Sequence, residues 1–227
     1  MNADQLKKIA AEKAVEWIED GMTVGLGTGS TAYWAIHRIA ERVREGLSIR
    51  AVASSIRSEQ LARELGIPFV SLNEIDRIDL TIDGADEVDD NLHLIKGGGG
   101  ALLREKVLAA ASDRFIVIVD ESKLVGTLGA FPLPVEIVPF AERLTLNRLK
   151  ELGGDPAIRT NPDGQRYVTD NGNWIADCRF GAIPDPAGLN EQLNQIPAVV
   201  ENGLFVGMAS VVVASLSDGS IEVRRRG

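Results

Sequence analysis

The sequence predicts an α/β protein, with a parallel sheet carrying helices on both faces and a smaller α+β unit. Three observations predict it. Short β-rich runs alternate with helical apolar spacing through the first half of the chain. After about Gly129 the order changes to strand, helix, hairpin and helix. The last run, Leu204 to Val223, is β-rich again and is placed to return to the first sheet. That return makes the second unit an insertion.

The elements follow in order. Leu6, Ile9, Ala10, Ala14, Trp17 and Ile18 keep helical spacing. Asp20-Gly21 turns the chain into a strand at 23–26. A helix is expected over 32–44, a strand over 49–54, a helix over 59–65 and a short strand over 69–72. The strand at 78–82, the helix at 101–111 and the β-branched strand at 115–119 complete the alternation, which calls for a parallel sheet covered on both faces. Phe131-Pro132-Leu133-Pro134 breaks the chain before a strand at 135–138. A helix at 141–152 ends at Gly153-Gly154. Segments 166–169 and 174–180 flank Asp170-Asn171-Gly172, a hairpin signal. Asp185-Pro186 opens a helix to about Ile196, with Asp as N-cap and Pro in the first turn.

Composition narrows the function classes. The chain has 227 residues, 44% apolar and 25% charged, which excludes disorder, collagen and coiled coil. A chain of this size buries about 70% of the surface it exposes when unfolded. No apolar run reaches the ~20 residues of a membrane helix, and the N-terminal MNADQLKKIAAEKA has no apolar signal core. One cysteine, Cys178, excludes an internal disulfide and a Cys-rich zinc site. A cytoplasmic protein is expected. The net charge of −9 repels nucleic acid and acidic membranes. The one basic run, Arg224-Arg225-Arg226, reads as a solvated terminus.

Three glycine-containing segments sit where chemistry is expected. Gly25-Leu26-Gly27-Thr28-Gly29-Ser30-Thr31 joins a strand to a helix. Free N–H donors and hydroxyls at a helix start suit a phosphate, and a glycine turn with an ordinary Ser/Thr cap is the other reading. Asp83-Gly84-Ala85-Asp86-Glu87 ends a strand, the place where open α/β sheets bind ligands. A solvated acidic loop and a divalent-cation site are its rivals, although the run contains no His and does not fit an EF-hand. Lys96-Gly97-Gly98-Gly99-Gly100 places a cation beside close-approaching backbone donors, a combination suited to a developing oxyanion. Glu105 follows at the start of the next helix, and Lys123 follows the strand after it. His37 and His93, the only histidines, build no Ser-His-Asp set or metal site. Cys178 reads as a buried structural thiol.

These residues resemble the ribose-5-phosphate isomerase family of the A type. The resemblance is carried by GLGTGST at 25–31, DGADE at 83–87, IKGGGG at 95–100, LREK at 103–106, Ser122-Lys123, FPLPVE at 131–136 and VTDNGN at 168–173. It implies a Rossmann-like domain over 1–129 and 204–227, with a smaller α+β domain inserted over 130–203. It implies interconversion of ribose 5-phosphate and ribulose 5-phosphate in the pentose phosphate pathway, by a homodimer or homotetramer, with no metal and no organic cofactor. By the family pattern, Thr28, Gly29, Ser30 and Thr31 form one substrate loop. Asp83, Gly84, Ala85 and Asp86 form a second, and Lys96, Gly97, Gly98 and Gly99 a third. Glu105 matches the general base, Lys123 a substrate-binding lysine, and Lys7 a lysine assisting phosphate binding. Lys96 is expected to stabilise the enolate oxygen, and Asp83 to help open the sugar ring. Asp86 is expected to orient hydroxyls or share proton transfer. Ala209-Ser210 departs from the family's Ala-Asp and leaves one local contact open. The alternative is a non-enzymatic sugar-phosphate-sensing domain. Glu105 beside the glycine loop and the absence of a DNA-binding helix-turn-helix favour the enzyme.

Overall fold

The structure is a computed structural model describing residues 1–226, so Gly227, last of the expected 204–227 segment, lies outside the described residues. Along the chain run α1 (Ala3–Val15), β1 (Thr23–Leu26), α2 (Ser30–Arg44), β2 (Arg50–Ala53), α3 (Ile56–Glu64) and β3 (Ile78–Gly84). Then come β4 (Glu87–Val88), β5 (Leu94–Ile95), α4 (Leu102–Ala110), β6 (Ser112–Asp120), β7 (Leu133–Ile137) and α5 (Glu142–Glu151). The chain continues with β8 (Asp155–Ile158), β9 (Trp174–Arg179), α6 (Pro186–Asn194) and β10 (Val199–Asn202). It ends with β11 (Leu204–Phe205), β12 (Val211–Ser215) and β13 (Ile221–Arg225).

Two compact units divide these elements. The first comprises Met1–Ala85, Arg104–Leu124 and the segment from Met208 to the C-terminus. The second comprises Asp86–Leu103 and Val125–Gly207. The segment expected as an insertion, 130–203, falls wholly in the second unit, which also takes in 86–103, 125–129 and 204–207. Strand pairing gives the reason: β5 pairs with β4 on one side and β11 on the other in one small antiparallel sheet.

In the first unit a six-stranded sheet runs β13-β12-β6-β3-β1-β2. Only the β12–β13 pair is antiparallel. The later part of the final run, β12 and β13, thus returns to the first sheet, whereas its start at β11 pairs with β5 in the second unit. Apolar side chains fill both faces. Ala51 joins the main core with Leu26, Ile36, Leu80 and Ile118, whereas its neighbour Val52 packs with Ile78 and Leu108 of α4. Successive strand residues point to opposite faces, so both faces of β2 are covered.

In the second unit a four-stranded antiparallel sheet runs β10-β7-β9-β8. Its core gathers Leu133, Val135, Ile137, Leu149, Cys178 and Leu193. Asp185 caps α6 by accepting from the Gly188 N–H at 2.9 Å, with Pro186 in the first turn, as expected.

Two expected elements differ. The strand at 69–72 is a single bridge from Phe69 to Ala51 followed by a 3-10 turn. Ser71 and Glu74 form a capping box there, and that local bonding wins over strand extension. The hairpin around Asp170-Asn171-Gly172 has its turn but not its expected pairing. Segment 166–167 pairs back on 159–160, while β9 pairs with β7 and β8. The turn docks instead on the buried Glu136, whose Oε1 accepts from Thr169 Oγ1 at 3.0 Å and Asn173 Nδ2 at 2.9 Å. The PLPVE and TDNGN segments are thereby partners.

Candidate active site

In the first unit, β1, β3 and β6 are parallel neighbours, so their C-terminal ends share one edge of the sheet. The chain reverses its direction of strand addition between β1 and β3, the point where doubly wound sheets hold ligands. Thr28 follows β1, Asp83 and Gly84 end β3, and Lys123 closes the 3-10 turn after β6. All three expectations therefore fall on one edge.

The first loop is built tightly. Gly27 N–H donates to Ile82 O at 2.9 Å. Thr28 N–H donates to Asp83 Oδ1 at 3.0 Å, and Gly84 N–H reaches the same oxygen at 2.7 Å. Asp83 is 1% exposed. The Thr28 hydroxyl lies 2.8 Å from Ser54 Oγ and 2.8 Å from Ser55 Oγ, and Ser58 Oγ donates to Gly27 O at 2.8 Å. This hydroxyl cluster was not singled out in the sequence, although Ser54-Ser55 directly after a strand was its visible trace.

Ser30 and Thr31 do not cap α2, so the reading of this segment as an ordinary Ser/Thr cap does not hold. Gly29 is the N-cap, at φ +104°, and no side chain bonds to the first turn. A left-handed φ is where glycine has no steric penalty. The first-turn N–H groups are thus left uncovered by any cap side chain, a donor arrangement suited to an anion. Gly29 and Ser30 line a cavity of about 410 Å³ with Asp4, Tyr33, Trp34 and Arg57. Lys7, on α1, has its Nζ 3.8 Å from Asp4 Oδ1.

Glu105 lies in the first turn of α4 and is 4% exposed. Carboxylates are favoured near a helix N-terminus. Lys123 is half-buried in its 3-10 turn, which Asp120 caps by accepting from the Ser122 N–H at 3.0 Å.

The second unit holds Asp86 and the third loop. Asp86 N–H donates to Ile95 O at 2.8 Å, and its Oδ2 accepts from the Gly98 N–H at 2.8 Å. A Cβ on Gly98 would lie 2.5 Å from Asp86 Oδ1, so this approach requires glycine. Lys96 is 2% exposed, with its N–H on Gly203 O at 2.9 Å and its Nζ 5.4 Å from the Phe205 ring centroid. Gly98 and Gly99 are exposed. Asp86 and the loop Lys96–Gly99 are therefore joined within this unit through the Gly98 N–H.

Among the described residues, no group of three His, Cys, Asp or Glu side chains is arranged to hold a metal ion. No helix among them is long and apolar enough to cross a membrane. Cys178 is buried, and burial pushes its thiol pKa up to about 12, which suits a packing role. Ser210, at the position that departs from the expected Ala-Asp, is bonded to Phe115 on the neighbouring strand. Its Oγ accepts the Phe115 N–H at 3.2 Å, and its own N–H donates to Phe115 O at 2.8 Å.

A parallel sheet with a glycine loop, an acidic strand end and a buried carboxylate at a helix start defines a Rossmann-like α/β protein with a candidate ligand-binding edge. The comparisons narrow the class. The family profile of ribose 5-phosphate isomerase A (phosphoriboisomerase A) matches residues 50–219. A ribose-5-phosphate isomerase A of Rhodopseudomonas palustris is 53% identical over 231 residues, covering 99% of this chain and all of its own. A D-ribose-5-phosphate isomerase solved in complex with phospho-erythronic acid superimposes with a TM-score of 0.96 at 41% identity, covering 100% of both chains. The ribose 5-phosphate isomerase A of Methanocaldococcus jannaschii gives 0.92 at 41% identity, over 97% of this chain and 98% of its own. The chain belongs to the ribose 5-phosphate isomerase A family.

Proposed function

We propose a set of residue roles for the activity that family membership supplies. The chain is an aldose–ketose isomerase that interconverts D-ribose 5-phosphate and D-ribulose 5-phosphate. The single observation that carries the role assignment is Glu105, a buried carboxylate in the first turn of α4.

Isomerisation moves one proton between neighbouring carbons. Glu105 takes the C2 proton of the open-chain aldose, and the electron pair forms an enediolate. Glu105 then returns the proton to C1 while the O2 hydroxyl proton passes to O1, a transfer Asp86 is assigned to share, and the ketose results, so one base serves both carbons. Negative charge develops on the carbonyl oxygen. Lys96 and the amides of Gly97 and Gly99 are assigned to that oxygen, while the Gly98 N–H is held by Asp86 Oδ2 and shapes the loop. Asp83 is assigned to ring opening, and Asp86 to orienting hydroxyls. Thr28, Gly29, Ser30 and Thr31 hold the phosphate, with Lys7 assisting, while Gly84, Ala85 and Lys123 bind the rest of the substrate. Phosphate binding supplies remote energy that orients the reacting carbons.

The reaction belongs to the non-oxidative pentose phosphate pathway, in the cytoplasm. No metal or organic cofactor is assigned a step, because Lys96 and backbone amides carry the charge. The assembly is a homodimer or homotetramer. An apolar surface in the second unit supports it, since Phe140 is 83% exposed and Leu144 69%. Light scattering on the purified protein tests the assembly. The non-enzymatic sensing alternative has no support in a family of isomerases.

A coupled colour assay for ribulose 5-phosphate, run with and without EDTA, tests the reading. Full turnover in EDTA is expected. Activity lost on chelation and restored by a divalent ion would overturn the charge assignment, and no turnover in either arm would overturn the function.

A further inference from the structure

One arginine holds two carbonyls of the glycine loop of the second unit. Arg159, just beyond β8, donates from Nη1 to Gly97 O at 3.0 Å and Gly98 O at 3.2 Å. The same guanidinium donates from Nε to Asp177 Oδ2 at 2.9 Å and from Nη2 to Asp177 Oδ1 at 2.5 Å. A bidentate carboxylate fixes the plane of the fork, and so the direction of the remaining donor. The backbone of Arg159 is pinned as well, its N–H on Ile175 O at 2.8 Å and its O on Tyr167 N–H at 2.9 Å. Its guanidinium carbon lies 5.7 Å from the Tyr167 ring centroid.

The peptide geometry gives these contacts a consequence. In a trans peptide the C=O and the following N–H point opposite ways. The Gly97–Gly98 peptide is clamped at both ends, by Arg159 on its oxygen and by Asp86 Oδ2 on the Gly98 N–H. The Gly98–Gly99 peptide has its oxygen on Arg159, so the Gly99 N–H points away from the guanidinium. Gly99 is exposed. We propose that Arg159, locked by Asp177, is a positioning residue for the isomerase reaction. It aims the Gly99 N–H as a donor for the substrate oxygen on which negative charge develops. The proposal rests on the assignment of Lys96–Gly99 as a substrate loop.

Steady-state kinetics on ribose 5-phosphate test it, with Arg159→Gln, Arg159→Lys and Asp177→Asn. An oxyanion donor is worth roughly 10²–10³ in kcat, and a misaimed one loses part of that. Arg159→Gln should therefore lower kcat on the order of 10–100-fold, with KM within about threefold, because the contact strengthens only as charge develops. Arg159→Lys should fall between the two, since an ammonium cannot span two carbonyls and a carboxylate in one plane. Guanidinium ion at millimolar concentration should raise kcat of Arg159→Ala and leave the parent unchanged. Should Arg159→Gln fail to fold, Asp177→Asn keeps the arginine and one acceptor, and its kcat should still fall severalfold. A variant with lowered Tm but kcat within twofold of the parent, or with a change in KM alone, overturns the positioning role. An inactive parent instead overturns the site assignment beneath it.

Discussion

Thr28 and Asp83 are 55 residues apart in sequence, and the Thr28 N–H donates to Asp83 Oδ1 at 3.0 Å. One carboxylate oxygen thus ties the glycine loop after β1 to the end of β3, and the same oxygen receives the Gly84 N–H. Asp83 therefore has a holding task beside the ring-opening task assigned to it. Asp83→Asn retains one acceptor oxygen for the two amides and should lower kcat while leaving KM within a few-fold. Asp83→Ala leaves both amides without that acceptor and should raise KM and also lower stability, by the roughly 1–3 kcal/mol that an unmade buried hydrogen bond costs, with a correspondingly lower Tm. Steady-state kinetics and thermal melts on both variants check this. Equal KM values in the two would show that Asp83 does not hold the loop.

Glu105→Gln preserves shape and removes the base. Its kcat should fall by roughly 10²–10⁴, the usual worth of a general base. KM and the melting curve should change little. Retention of more than half the parent kcat would sink the assignment.

Ser30 and Thr31 begin α2, and the assigned phosphate does not change during the reaction. Thr31→Val should cost about 1.5–3 kcal/mol in kcat/KM on ribose 5-phosphate, the value of one hydrogen bond to a charged group. Part of the loss should appear in kcat through poorer positioning. Ribose without phosphate should be a very poor substrate, and Thr31→Val should narrow the gap between the two sugars. An equal loss on both would place Thr31 at the reacting carbons instead.

The buried Cys178 thiol has its pKa pushed up to about 12, from an ordinary value of 9.0. At pH 8 iodoacetamide should label the unfolded chain and leave the folded one unmodified, because the thiolate is the nucleophile. The sign of the pH effect follows by linkage. Below about 9 both states hold the proton. Between 9.0 and about 12 the unfolded chain releases it and the folded chain does not. Stability should therefore decline through that window, and more steeply than in Cys178→Ala. Mass spectrometry after timed labelling and melts across the alkaline range check both statements. Rapid labelling of the native protein at pH 8 would contradict them.

The three loops were legible because glycine runs and acidic pairs stand directly at strand ends, where an α/β chain has few other uses for them. Strand β6 was legible from its β-branched residues, and α6 from Asp185-Pro186. Local chemistry misled the reading at 69–72, where Ser71 and Glu74 already spelled the capping box that replaced a strand. The pairing around Asp170-Asn171-Gly172 was not legible, since its turn chemistry says nothing of the buried Glu136 that receives it. Arg159 was invisible for a related reason. Its contact with Gly97 spans 62 residues and depends on where segment 159–167 folds back on itself.

Strand β12 stands between β6 and β13, in register with β6 from Val211↔Ile116 to Ser215↔Asp120. Chain synthesis delivers it long after β6. A ribosome-bound chain that already contains β1, β2, β3 and β6 still presents β6 as a bare edge of five β-branched or aromatic residues from Phe115 to Val119. An edge of that kind is a template for pairing with other chains, and domains complete themselves only as their segments emerge. Folding of the first unit is thereby coupled to the synthesis of β12. A premature stop before Val211 leaves a sticky strand where a full-length chain has an interior one, so such fragments are expected in the insoluble fraction.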